Sequence, residues 1–265
     1  MEYYIVDAFA ENLFGGNQAG VCVLKEPIEA DLMQNIAIEN NFSETAFLVN
    51  KGPGRYDLRW FTPGGEINFC GHATMGSAYV VKHFLEPELP EVHFDAMCGE
   101  LIVRYEGDLQ VMNAPRWVGE KREIGADWEE KLGIKILDCI KTRDTMVLTD
   151  DVEKLRTMHP LEGDILSIEP DMCLIVTAPA AGSKEDSDFV CRVFAPAGAI
   201  YEDPVTGSAH STLIPYWSEK LGKDHLVSHQ ISRRGGLLVC DDLKETDRVE
   251  MAGHCVCYLK GELQL

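Results

Sequence analysis

Phe61-Thr62-Pro63-Gly64-Gly65-Glu66-Ile67 returns as Phe194-Ala195-Pro196-Ala197-Gly198-Ala199-Ile200, with Phe, Pro, Gly and Ile all at a separation of 133 positions. A few residues further on, Cys70-Gly71-His72-Ala73-Thr74 is answered by Thr206-Gly207-Ser208-Ala209-His210, where Gly and Ala recur at a separation of 136. Each copy reads as an apolar strand, a turn, a glycine and a helix of small residues. Gly, Pro and Ala are common, so coincidence is the competing account. Four matches in seven, followed by the same glycine-to-helix transition, favour duplication. Two copies of one strand–helix unit imply two similar domains with a site between them.

Outward from the first copy, Tyr3 to Phe9, Gly20 to Leu24, Thr45 to Asn50 and Arg55 to Thr62 read as short strands bounded by Gly, Asn or Pro. Asp31 to Glu39 reads as a helix with Leu32, Ile36 and Met33 on its apolar side, ending at Asn40-Asn41. A second helix runs from about His72 to Phe84. Its lack of charge predicts burial at the centre of a domain. Glu91 to Asp95, Leu101 to Tyr105 and Asp108 to Met112 read as strands. After Asn113-Ala114-Pro115 the chain turns more polar, with exposed helices expected at Ala126 to Leu132 and Asp151 to Met158. Met172 to Thr177, Phe189 to Phe194, Arg248 to Met251 and Cys255 to Leu259 read as strands, and Gly207 to Leu221 as a helix. The expected domains are 1–114 and 115–254, with the last strand, about 255–265, returning to the first.

The 265 residues are 45% hydrophobic, enough to build a core, so a disordered chain is excluded. A net charge of −20 repels phosphate backbones and anionic lipid, so neither nucleic acid nor membrane is an expected partner. No apolar run reaches the ~18 residues of a membrane span, and the first residues lack a signal-peptide pattern. Nine scattered cysteines then read as reduced thiols of a cytoplasmic protein. With no Cys-x-x-Cys pair, no structural metal is expected. Gly15-Gly16-Asn17-Gln18-Ala19-Gly20 has neither the Rossmann nor the P-loop spacing, so no nucleotide cofactor is expected. Arg233-Arg234 reads as a salt-bridging turn.

Chemistry gathers at the duplicated turns. Helix N-termini carry free N–H groups and partial positive charge, and a glycine there lets a ligand approach the backbone. Gly71 and Gly207 therefore mark an expected anion site for a small carboxylate. The titratable candidates beside them are Glu44, His72 and Asp203, with the Ser208 hydroxyl. Singly each has a plain structural reading: a strand-end carboxylate, a capping histidine, an Asx-turn before proline, an N-cap. Together they suit general acid–base catalysis.

At these residues the chain resembles the phenazine-biosynthesis (PhzF-like) isomerases of the diaminopimelate-epimerase superfamily. The matching stretches are Gly16 to Val21, Asn41 to Phe47, Arg59 to Pro63, Cys70 to Thr74, Glu202 to His210, Ser232 to Gly236, and Gly253-His254. The resemblance implies an α+β (or α/β) fold of two pseudo-symmetric epimerase-like domains, each a curved mixed sheet around a central helix. It implies a homodimer and cofactor-free proton movement on a small carboxylate-bearing metabolite. The family's best-understood activity isomerises trans-2,3-dihydro-3-hydroxyanthranilate. Carried over by motif, Glu44 is the acid/base. His72, Asp203 and Ser208 line the pocket, and the backbone of Gly71 and Gly207 completes the anion site.

One departure matters. Epimerases of the superfamily use a cysteine from each repeat, but here Cys70 is paired with Thr206, whose hydroxyl is too weak an acid for thiol-type exchange. Two-thiol racemisation is therefore disfavoured, and Cys70 reads first as a packing residue. An epimerase or racemase using Glu44 or Cys70, and a non-catalytic small-molecule binder of the same fold, are the alternatives.

Overall fold

The computed structural model describes residues 1–198 and 200–265; Ala199, in the second copy of the repeat, lies outside the described residues. The chain divides into two compact units, Met1–Asn113 with Ala252–Leu265, and Ala114–Met251.

The first unit is built from β1 (Glu2–Ala8), β2 (Asn17–Leu24), α1 (Ala30–Asn40), β3 (Glu44–Gly52), β4 (Arg55–Thr62), β5 (Gly65–Ile67), α2 (Gly71–Val80), β6 (Glu91–Ala96), β7 (Gly99–Glu106) and β8 (Leu109–Pro115). The C-terminal strand Cys255–Glu262 pairs with β1, and from there the sheet runs β1, β2, β3, β4, β6, β7, β8. β2–β3 and β4–β6 are parallel, the other neighbours antiparallel, and β5 folds back on β4. The curved sheet closes around α2, which touches β1, β2, β3 and the C-terminal strand. Nearly every residue of α2 is buried, which is why it is written in Gly, Ala, Ser and Thr rather than as an amphipathic stripe. On the opposite face of the sheet, α1 packs Met33, Ile36 and Ala37 against Tyr3, Cys22, Phe47 and Phe61. Each large side chain buried there contributes about 1.5–3 kcal/mol. Leu32, expected on that side, is exposed. The apolar set that meets the sheet is the i, i+3, i+4 triplet starting at Met33, one residue around the helix from Leu32.

The second unit contains β9 (Glu120–Lys121), α3 (Trp128–Leu132), β10 (Asp138–Lys141), β11 (Thr145–Leu148), α4 (Val152–Thr157), α5 (Glu162–Ile168), β12 (Leu174–Pro179), β13 (Phe189–Ala195), β14 (Ile200–Asp203), α6 (Gly207–Leu221), β15 (His225–Gln230), β16 (Gly236–Leu243) and β17 (Arg248–Gly253). Its sheet runs β9, β10, β11, β12, β13, β15, β16, with β11–β12 and β13–β15 parallel and β14 folded back on β13. Order and polarity repeat those of the first unit from its C-terminal strand and β1 through β7. Three short helices replace α1: Trp128, Leu132, Leu155, Ile165 and Ile168 pack onto Val147, Leu174, Val176 and Phe194.

Side chains repeat as well. Arg59 grips Glu66 with Nε and Nη2 at 2.6 and 2.8 Å, and its guanidinium lies over the Phe61 ring. Arg192 grips Glu202 with the same two nitrogens at 2.7 and 2.8 Å, over the Phe194 ring. Register pairs Phe61 with Glu66 and Phe194 with Glu202. The repeated Phe-x-Pro stretch is thus the turn of a β-hairpin whose strands are tied by one bidentate ion pair in each unit. Among the described residues no helix is long and apolar enough to cross a membrane, and all nine cysteines are free.

Candidate active site

Glu44 is delivered by a short reversal. α1 stops at Asn41, which adopts the left-handed conformation with φ 53°. Asn40 Nδ2 donates to Thr45 Oγ1 at 3.1 Å, and Glu44 becomes the first residue of β3, paired with Ala19 of β2. Gly20 admits this turn: a Cβ there would come within 2.9 Å of Tyr3 Oη and 3.2 Å of both Asn40 Nδ2 and Thr45 Oγ1.

His72 is the second residue of α2. It does not cap the helix; Cys70 holds the capping position, extended, with no side-chain capping bond. Instead the ring reaches across the sheet end. Its Nε2 lies 3.1 Å from Glu44 Oε2. On the other side, Nδ1 lies 3.2 Å from Asn17 Nδ2 and 3.5 Å from Cys70 Sγ. Nδ1 is thus turned to the Asn17 amide and the Cys70 thiol, and Nε2 to the carboxylate. The Nε2–Oε2 contact is close enough for an ion pair but misses hydrogen-bond alignment, so both atoms are buried without a hydrogen-bond partner. Two buried polar atoms side by side, neither with a hydrogen-bond partner, mark a place where a ligand group completes the pairing.

The electrostatics separate the three side chains. Burial pushes His72 down, but the neighbouring Cys70 and the Glu44 carboxylate outweigh it and hold the imidazole well above 6.5. Burial, reinforced by Glu44 and opposed by His72, pushes the Cys70 thiol up to about 11. Cys70 is therefore a neutral thiol near pH 7, weak both as a base and as a nucleophile. Beyond packing, it serves as a polar neighbour of Nδ1. Ligand atoms of Glu44, Cys70 and His72 all lie within 4.8 Å of one another, the donor set of a soft divalent ion. The arrangement does not suit one. Glu44 and Cys70 address opposite nitrogens of the same ring, so an ion held by Nε2 and Glu44 lies on the far side of the imidazole from the thiol.

In the second unit α6 opens in the same way. Thr206 holds the capping position in extended conformation, without a capping bond, and Gly207 is the first helical residue. His210 stands where Thr74 stands in α2: Thr74 Oγ1 donates to Cys70 O at 2.6 Å, and His210 Nδ1 donates to Thr206 O at 2.8 Å. His210 Nε2 accepts from Ser228, and burial pushes this ring down to about 4, so it is neutral. Asp203 takes the Thr206 hydroxyl on its Oδ2 at 2.6 Å. Gln230, fully buried on β15, clasps that turn: Oε1 accepts from Thr206 N at 2.8 Å and Nε2 donates to Asp203 O at 2.6 Å. Ser208 does not cap; its Oγ accepts from Arg143 Nη2 at 2.9 Å.

The expected residues thus form two local groups, Glu44 with His72 at the start of α2, and Asp203 with Ser208 at the start of α6. Asn17, Arg143 and Gln230 were not foreseen. Asn17 stood in the conspicuous Gly-Asn-Gln stretch; Arg143 and Gln230 carry no motif, and only strand pairing brings them to the turns.

The sequence profile of the family described as phenazine biosynthesis-like protein matches residues 6–261. An uncharacterized isomerase of Pseudomonas aeruginosa is 41% identical over 260 residues, covering 98% of this chain and 97% of its own. The crystal structure of a PhzF-family phenazine biosynthesis protein from Enterococcus faecalis superposes with a TM-score of 0.94 at 40% identity, covering 100% of this chain and 99% of the other. A probable proline racemase from Agrobacterium radiobacter shares the fold, with a TM-score of 0.66 at 11% identity over 100% of this chain and 93% of its own.

Proposed function

The chain belongs to the phenazine biosynthesis-like family, and from that premise we propose that it is an isomerase moving a proton between two carbons of a small carboxylate-bearing metabolite, without a cofactor. The observation that carries this reading is the buried Glu44–His72 pair, whose facing atoms lack hydrogen-bond partners. A carboxylate so placed takes a proton from one carbon of the substrate; the C–H electron pair enters the adjacent π-system as the double bond shifts. The carboxylic acid formed then returns the proton to the far end of that system, and Glu44 ends as it began. His72, held protonated, keeps a positive charge beside the carboxylate between turnovers and beside the electron-rich intermediate during one.

Asp203, Ser208 and the backbone N–H groups of Gly71 and Gly207 are assigned to holding the substrate's carboxylate and any amine. Support for these roles comes from the free N–H groups of each helix start and from the family motifs, which occur at these residues. The test uses trans-2,3-dihydro-3-hydroxyanthranilate and related small acids in deuterated water. Glu44→Gln abolishes deuterium incorporation and Cys70→Ser keeps it. The reverse pattern assigns the chemistry to the thiol and favours an epimerase; tight binding with no exchange in the unaltered protein makes it a binder.

A further inference from the structure

Resting on that reading, we propose that Arg143 is the residue that receives the substrate's anionic group at the start of α6, which commits the enzyme to carboxylates over neutral molecules of the same shape.

Arg143 lies between β10 and β11 and is held on three sides. Its Nε and Nη2 donate to the two oxygens of Asp144 at 3.2 and 2.9 Å. The remaining Nη2 donor goes to Ser208 Oγ, and the guanidinium carbon sits 5.0 Å from the centre of the Trp117 ring. Asp144 is itself fully buried and accepts from Cys173 N at 3.2 Å. The bracing turn is fixed to α6 a second time, through the Thr142 and Thr212 hydroxyls at 2.7 Å.

A surface arginine that merely solvates its charge is not immobilised in this way. The Arg143 side chain is still 31% exposed, so an incoming ligand can reach it. Among the described residues no partner falls to the two Nη1 donors. The fork geometry of guanidinium then matters. Asp144 takes the edge formed by Nε and Nη2, and Ser208 takes the outer Nη2 donor, so Nη1 is left on the edge that faces the serine. Because Ser208 accepts from Arg143, its own proton is free to donate. One carboxylate can therefore take the Ser208 hydroxyl on one oxygen and Nη1 on the other, beside the N–H groups of the first turn. Asp144 prevents a net positive charge from standing unbalanced when the site is empty, so the ligand meets a prepared donor set.

The experiment is calorimetric titration of the full chain with 2-amino-3-hydroxybenzoate and with 2-aminophenol, which differ only in the carboxylate. The unaltered protein is expected to bind the acid at least tenfold more tightly than the phenol. Arg143→Met weakens the acid about 10- to 100-fold, as loss of a charge-assisted pair does, and leaves the phenol unchanged; Arg143→Lys recovers part of the loss. Arg143→Met also strands Asp144, so Arg143→Met with Asp144→Asn provides the same test in a variant with no lone buried charge. Equal losses for both ligands would reduce Arg143 to a brace for the fold. Unchanged affinity for the acid, or no preference for the acid in the unaltered protein, overturns the proposal outright. Glu44→Gln keeps the preference for the acid while losing proton exchange, so a failure of the catalytic reading registers separately.

Discussion

The starts of α2 and α6 share a backbone and differ in their side chains. Both begin on an extended capping residue followed by glycine, and both tie the capping carbonyl to a side chain four residues on. At the next position the first unit has His72, turned to Glu44, and the second has Ser208, turned to Arg143. The register extends the comparison. Thr45 pairs with Phe61 and Leu174 with Phe194, so Glu44 and Cys173 are equivalent places. Cys173 is pushed up, by burial first and then by Asp144, and stays a neutral thiol. Duplication supplied two equal scaffolds; on the proposed reading, substitution at one strand end and one helix position left proton transfer to the first and anion recognition to the second.

The sharpest test of that division is Glu44→Gln against Cys173→Ser. The first lowers proton exchange about 10³-fold, within the usual range for a lost acid/base group, and the second leaves it unchanged. Equal losses would mean that both halves move protons. The ion pairs make a second contrast. The Arg192 side chain is 4% exposed and Arg59 39%. Arg192→Met strands Glu202 and costs about 3–5 kcal/mol of unfolding free energy, while Arg59→Met costs about 1 kcal/mol or less; denaturant melts of the two variants decide it.

The two buried histidines predict opposite pH windows. His72 is held above its unfolded value of 6.5, so its contribution is complete below pH 6.5 and is lost as pH rises through the folded value. His210 is lowered from 6.5 to about 4, so its contribution is complete above 6.5 and is lost as pH falls toward 4, about 3 kcal/mol in all. His72→Gln should flatten the alkaline side of a stability–pH curve and His210→Gln the acid side. The smallest effect is expected from Cys70→Ser, where a better N-cap adds up to about 1 kcal/mol and exchange persists.

The glycine-opened helices and the duplicated turn were legible because they depend on local rules: glycine where backbone is exposed, small residues where a helix is buried on all sides. Gly207–Leu221 has the bounds read from sequence. Leu32 was misplaced because Leu32 and Met33 offer two equally apolar faces, and only the sheet's approach selects one. The helix Glu162–Ile168 and the strands at 138–148 and 225–243 were passed over. They are short, and their apolar residues face partners distant in sequence. The repeated Arg–Glu pair was present in the text, but its members are 7 residues apart in one copy and 10 in the other, so spacing alone hid it.

By itself, the amino-acid order determined that one strand–turn–helix unit occurs twice and that Glu44, His72, Asp203 and Ser208 accompany its turns. His72, Asp203 and Ser208 are written within a few residues of the repeated glycines, and Glu44 within its own short motif. Tertiary structure alone decided which side chain each of them meets: Asn17 and Glu44 on opposite nitrogens of His72, Arg143 on Ser208, Gln230 on the Asp203 turn. These contacts span tens of residues and follow from strand register, which is set by the packing of whole faces rather than by any local sequence.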